Sequence, residues 1–254
     1  MLILAACDPT PTQTVRLPLN PPWWLPAVPM NHAAFSAVLA GKTSLPGEDL
    51  DPRRLRLLRG YLATLAEGGP ETTPEQFPDQ AHVIAYYLNA HMAWAHVLAA
   101  TPALRGTSVE ALAAVPVRLD RRTTSLREIA ARVLVASPGE ARVMLFLNPG
   151  WRGGPRYPPS AIEGHALGWQ LAEQGRRAGG TTGFWNLDEP ARRVEASALV
   201  EMLPALPAAA RLRARRALDL VPPADPLRAR ILALCGEQLG HCTVRWTPMD
   251  RTRA

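Results

Sequence analysis

The chain has 254 residues, 47% of them hydrophobic and 20% charged, which is enough for one sizeable core and ordinary for a globular domain. Its formal charge of +6 comes almost wholly from arginine, Lys42 being the only lysine. A positive balance of this kind licenses attraction to anionic surfaces but says nothing of fold. No basic element is interleaved with aromatics, so no nucleic-acid partner is expected, and no run of ~18 apolar residues exists to span a membrane.

Residues 1–7, MLILAAC, hold Leu4-Ala5-Ala6-Cys7, which fits a bacterial lipobox: an apolar residue, small residues for the signal peptidase, then the cysteine that takes the lipid. A full leader would carry a positive start and a longer apolar stretch, so translation is expected to begin upstream of Met1. Residues 8–30 are too proline-rich for a core element and suit an extended tether. The expected product is a membrane-anchored lipoprotein of the cell envelope, attached through Cys7 and facing the periplasm or exterior. A single globular domain then occupies residues 31–254.

Within that domain a short helix is expected over 31–40 with Asn31 as cap, and a longer one over 50–67 opened by Asp51-Pro52. Leu55, Leu58, Leu62 and Leu65 give the second helix one apolar face, and Gly68-Gly69 ends it. Residues 80–99 form the most apolar helix, expected to be buried nearly all round. Shorter helices are expected over 108–114 and 125–134, the latter with a capping box at Ser125 and Glu128. The apolar run 142–147, after Ser137-Pro138-Gly139, is the best strand candidate. A helix follows over 160–175, paired strands over 182–187 and 193–195, helices over 197–218 and 225–238, and a last strand over 242–247. Helices outnumber short, scattered strands, so the expected fold is α+β, mainly helical, with a small and largely antiparallel sheet.

Several constellations bear on chemistry. Cys235 and Cys242 have six residues between them. In an oxidising compartment they are expected to bridge, because the rival metal site would have only His241 beside two thiols and falls short of four ligands. His82 and His96 share a face of the apolar helix but stand about 21 Å apart, too far for one ion, and His91 points away. The face they share also carries Tyr86, Asn89 and Ala93, a polar stripe that either makes core hydrogen bonds or lines a pocket. No nucleophile elbow is present, the serines fall at helix caps, and the 22 acidic residues show no unusual placement. The glycine-rich stretch 179–183 lacks the lysine of a phosphate loop. Arg211, Arg213, Arg215 and Arg216 make either a solvated helix face or a contact for anionic headgroups.

Three segments in order give the chain its likeness. Residues 85–93, AYYLNAHMA, are similar to an A-Y-W-I-N-x-Y-N-A helix; residues 125–129, SLREI, to s-L-x-x-I-E-H; and residues 142–148, RVMLFLN, to R-x-H-F-A-L-N. Together they resemble the bacterial family called domain of unknown function 547, over about residues 31–250. The resemblance implies a thiol-hydrolase kind of fold in working members. It also places that family's two cysteines on Pro149 and Gly154, its glutamate and histidines on Ala130, Ala131 and Met144, and leaves Asn89 and Asn148 matched. A thiolate needs a cysteine with an imidazole to take its proton, and this chain has neither there. The expected function is therefore a catalytically degenerate domain that binds a peptide, cell-wall fragment or partner protein, with no cofactor. The pocket would be lined by Asn89, His96, Asn148, Trp151, Arg152, Arg156 and Tyr157. Two alternatives stand beside it: a hydrolase or transferase with its site relocated to residues 148–157 and His96 or His165 as general base, and a purely structural envelope spacer.

Overall fold

The computed structural model describes residues 28–39, 45–48, 50–150, 154–179, 185–197, 214–215 and 218–247. The fold is α+β and mainly helical, as the element order implied. Helix α1 spans Ala33–Leu39, with the Asn31 Oδ1 accepting the Ala33 N–H at 2.7 Å. Helix α2 spans Pro52–Glu67, where Asp51 accepts from the Arg53 and Arg54 amides and Pro52 supplies a first-turn residue that needs no N–H partner. Helix α3 spans Gln80–Ala100, capped by Asp79. Every residue from Ile84 to Ala93 on α3 is buried, so this helix is the axis on which α2, α5 and two 3-10 turns pack. Helices α4 (Val109–Leu112) and α5 (Leu126–Ala136) begin at Ser108 and Ser125. Ser125 accepts the Glu128 N–H as a capping box requires, but the Glu128 carboxylate takes the Thr124 hydroxyl at 2.8 Å instead of returning to the cap.

A hairpin absent from the sequence reading lies between α4 and α5. Strands β1 (Val117–Leu119) and β2 (Arg122–Thr124) pair antiparallel around Asp120 and Arg121, both left-handed at φ of 51° and 58°. Two positive φ values match a tight hairpin to the strand twist, a role that Asn-Gly usually fills. Here tertiary contacts hold the turn. The Asp120 and Arg121 amides donate to Leu65 and Ala66 carbonyls at 2.9 and 2.7 Å, satisfying the open C-terminus of α2. The Asp120 carboxylate accepts the Glu71 and Thr72 amides at 2.8 and 3.1 Å. A Cβ on Gly69 would stand 2.5 Å from Asp120 Cγ and 2.6 Å from the Tyr86 hydroxyl, so only glycine permits this approach.

Two further differences concern the middle of the chain. Residues 142–147 are not a strand: Ala141–Phe146 is a 3-10 helix with Val143 to Phe146 all buried. Glu140 starts it by accepting the Arg142 N–H and holding the Arg142 guanidinium. A short apolar run of this length is compatible with either form, and here nothing pairs with it along an edge. The helix expected from 160 begins later, since residue 160 is a bend, residues 161–163 form no regular element, Gly164–Ala166 is a 3-10 turn and α6 covers Leu167–Gly179.

The second sheet comprises β3 (Trp185–Asp188), β4 (Arg193–Ser197) and β5 (Thr243–Thr247). The β3–β4 pair is antiparallel, whereas β4–β5 is parallel with Val194 opposite Val244. Helix α7 spans Pro226–Cys235, capped by Asp225 and closed by Gly236 at φ 75°. The Cys235 and Cys242 sulfurs are 2.02 Å apart, a disulfide that ties the end of α7 to the residue before β5. Most of the helix expected over 197–218 lies outside the described residues, as do Arg211, Arg213 and Arg216.

Candidate functional site

The loop after the 3-10 helix is organised by one asparagine. Asn148 Nδ2 donates to the Pro155 carbonyl at 3.2 Å, its Oδ1 accepts the Gly150 N–H at 3.0 Å, and its own carbonyl accepts the Tyr157 hydroxyl. A Cβ on Gly154 would lie 2.4 to 2.8 Å from the whole Asn148 amide, so glycine at 154 is a condition of this packing. From the other side Gln174 on α6 donates to the Leu145 and Arg156 carbonyls at 3.4 and 2.7 Å, pinning both ends of the loop. The Arg156 guanidinium reaches Glu48 at 3.2 Å, an exposed pair of the kind that contributes about 0–1 kcal/mol and is readily exchanged.

His96 borders this loop. Its ring meets that of Tyr157 edge-on, with centroids 5.1 Å apart, and its Nδ1 accepts the Gly47 N–H at 3.1 Å. Burial lowers the His96 pKa to about 4, so the imidazole is neutral at pH 7. His96, Tyr157 and Asn148 therefore come together near the C-terminal end of α3, whereas Asn89 sits mid-helix on Ile162; each of the four is at most 1% exposed and engaged with backbone or ring partners. Trp151, Arg152 and Cys7 lie outside the described residues.

The polar stripe on α3 has a common purpose. Tyr86 donates to the Leu65 and Gly68 carbonyls at 3.1 and 3.0 Å. Asn89 makes a two-bond ring with Ile162, Nδ2 to the carbonyl and the N–H to Oδ1, both 2.8 Å. Residues 161–163 are paired with no strand among the described residues, and side chains take that place. Ser36 on α1 accepts the Ala161 N–H at 3.1 Å; Gln170 on α6 donates to the Ala161 carbonyl and accepts the Glu163 N–H, both at 2.8 Å. Buried backbone groups need such partners, and three helices provide them here.

This arrangement sets Glu163 and Gly164 against His82, for a Cβ on Gly164 would lie 2.4 Å from His82 Cγ. His82 Nδ1 is 2.7 Å from Asp79 Oδ1, and that bond is the main cause of a lowered Asp79 pKa. Burial raises the Glu163 carboxyl, against the opposing charges of His165 and His82. His32 hydrogen-bonds Tyr61 at 2.7 Å; burial first and the His82 charge second lower its pKa to about 4. His82 and His165 were visible in the sequence, whereas Asp79, Glu163, His32 and Tyr61 were not. Only an Asp-x-x-His spacing at 79 and 82 announced any of it. Asp79 is first a helix cap, and among the described residues no cluster of three His, Cys, Asp or Glu is arranged to hold a metal.

No family model, no curated protein and no solved structure matches this chain.

Proposed function

We propose that the protein is a lipid-anchored cell-envelope protein whose domain is a divergent, catalytically degenerate relative of the domain of unknown function 547 family and binds a peptide, cell-wall fragment or partner protein. One observation carries the reading. At the positions where the resembled family holds its reactive groups, this chain has Pro149, Gly154, Ala131 and Met144, while Asn148 holds the surrounding loop through three hydrogen bonds. Proline at 149 supplies neither a thiol nor a backbone N–H, so neither nucleophile nor oxyanion donor exists at that point. The neighbouring imidazole, His96, is held neutral by burial, and its Nδ1 already accepts the Gly47 N–H.

Two measurements test the two parts. Metabolic labelling with a lipid precursor, on the protein expressed from an upstream start, is expected to label the wild type and not Cys7→Ala; an unlabelled wild type refutes the anchor. Incubation with amide and thioester substrates is expected to give no turnover. Turnover that Asn148→Ala abolishes would instead support a relocated active site.

A further inference from the structure

Residues 45–48, Leu-Pro-Gly-Glu, form a turn that holds itself together. The Glu48 N–H donates to the Leu45 carbonyl at 3.1 Å, and the Leu45 N–H donates to Glu48 Oε2 at 2.9 Å. Pro46 at the second position and Gly47, at φ 87°, at the third are the residues a type II turn asks for. This preformed unit seats on the C-terminal part of α3, with Leu45 and Pro46 buried. A Cβ on Gly47 would stand 3.0 Å from Ala99 Cβ, so the close approach is a second reason for glycine there.

Polar contacts join the turn to the domain on two sides. Glu48 Oε2 takes the Arg156 guanidinium at 3.2 Å, an exposed pair. On the inner side the Gly47 N–H donates to His96 Nδ1 at 3.1 Å. A backbone N–H can only donate, so this bond exists only while Nδ1 is bare. A second proton on the ring makes both its nitrogens donors and sets one N–H against another. The other two histidine contacts have no such consequence. His32 Nδ1 faces the Tyr61 hydroxyl, which can donate or accept, and His82 Nδ1 faces the Asp79 carboxylate, which accepts from a charged ring as well.

The surroundings of His96 offer a charged ring little support. Its own helix carries no charged residue from Met92 to Ala100. The Tyr157 ring stands edge-on to it, with the hydroxyl given to the Asn148 carbonyl and kept neutral by burial. The Glu48 carboxylate, on the turn, is shared between Arg156 and the Leu45 N–H. With the turn seated, the ring is 1% exposed.

We propose that the turn at residues 45–48 is an acid-released clasp over His96: protonation of Nδ1 expels the Gly47 N–H, and the turn leaves as a unit. The proposal concerns access to the His96 ring and depends on neither the lipid anchor nor the inert loop at 148–157. Its sign follows from linkage. The seated ring resists the proton, its pKa being lowered from 6.5 to about 4 by burial, so seating is strongest above pH 6.5 and is lost as pH falls toward 4. An opened state whose ring regains the ordinary value rises in population by up to about 30-fold between pH 7.5 and 5.

The test is amide hydrogen exchange on the isotope-labelled full chain, read by NMR as protection factors so that the intrinsic pH dependence of exchange is divided out. The Ile162 amide is the reference, because its partner Asn89 does not titrate. Between pH 7.5 and 5 the protection of Gly47 is expected to fall about tenfold or more beyond that of Ile162. His96→Gln presents an oxygen that accepts at every pH and is expected to abolish this excess. Glu48→Gln weakens the outer contact, so it should lower Gly47 protection at every pH and keep the excess. The proposal is overturned by a Gly47 amide without protection at pH 7.5, or by protection that follows Ile162 throughout, since the turn would then open only with the whole fold. It is equally overturned if the excess persists in His96→Gln, or if it vanishes in Glu48→Gln, where the carboxylate would be the sensor. Should His96→Gln fail to fold, the wild type and Glu48→Gln decide between these outcomes.

Discussion

Replacing Asn89 by alanine tests whether the α3 stripe is scaffold. The amide is fully buried and closes two 2.8 Å bonds on one residue, Ile162, which is itself 0% exposed. Asn89→Ala removes both bonds and leaves an N–H and a carbonyl of Ile162 without partners. Each such buried group costs about 1–3 kcal/mol, so the expected loss is roughly 3–5 kcal/mol once partial relaxation is allowed. For a chain of this size that lowers the unfolding midpoint by roughly 6–20 °C. Urea denaturation should show a lower midpoint with an unchanged slope, and hydrogen exchange should find the Ile162 amide deprotected. Asn89→Asp adds a sign. It keeps the acceptor for the Ile162 N–H but can donate to the carbonyl only when protonated, so burial would raise its folded pKa. Its stability relative to wild type is then greatest below the unfolded carboxyl value and lost as pH rises through the folded one. A cost for Asn89→Ala below about 1 kcal/mol, with the Ile162 amide still protected, would refute the scaffold argument.

Gly154→Ala should cost about 2–4 kcal/mol by forcing the Asn148 amide from its loop partners, and the penalty should shrink in an Asn148→Ala background, where the clash is gone; strict additivity in urea melts would contradict the packing described. Gly60→Ala is expected to stabilise by roughly 0.5–1 kcal/mol in a thermal melt, and destabilisation would show an intramolecular need for that glycine. His32, His91 and His96 are held neutral by burial, with pKa lowered from 6.5 to about 4, 3 and 4. Because the folded values are depressed, their contribution is fully present above pH 6.5 and is lost as pH falls toward 4. Between pH 6 and 5 unfolding should take up about three protons, a slope of up to about 4 kcal/mol per pH unit, and His96→Gln should remove about one of them. Stability unchanged from pH 7 to 5 would refute this.

The sequence showed elements wherever local chemistry decides them. Asp51-Pro52 and Gly68-Gly69 bracket α2 to the residue, and the apolar length of α3 already required burial on all sides. It failed where partners distant in the chain decide. Asp120-Arg121 is no turn signal, because what holds the left-handed pair is the carbonyl end of α2 more than fifty residues earlier. The run 142–147 has the composition of a strand but no edge to pair with, and 160–163 has helical composition while its backbone is claimed by Ser36, Asn89 and Gln170. The parallel β4–β5 pairing joins segments some fifty residues apart, a register that period-2 patterning cannot specify.

Buried asparagines and histidines on an apolar helix carry the same residue types whether their partner is a substrate or a main chain. Composition could single out Asn89, His96 and Asn148 but could not decide between those partners. Supply and demand within the fold decide it. Residues 161–163 have no strand neighbour among the described residues, and residues 148–150 and 155–157 pack beside α6, so both present backbone donors and acceptors that must be satisfied away from water. Both ends of the Asn89 and Asn148 amides are consumed by that demand.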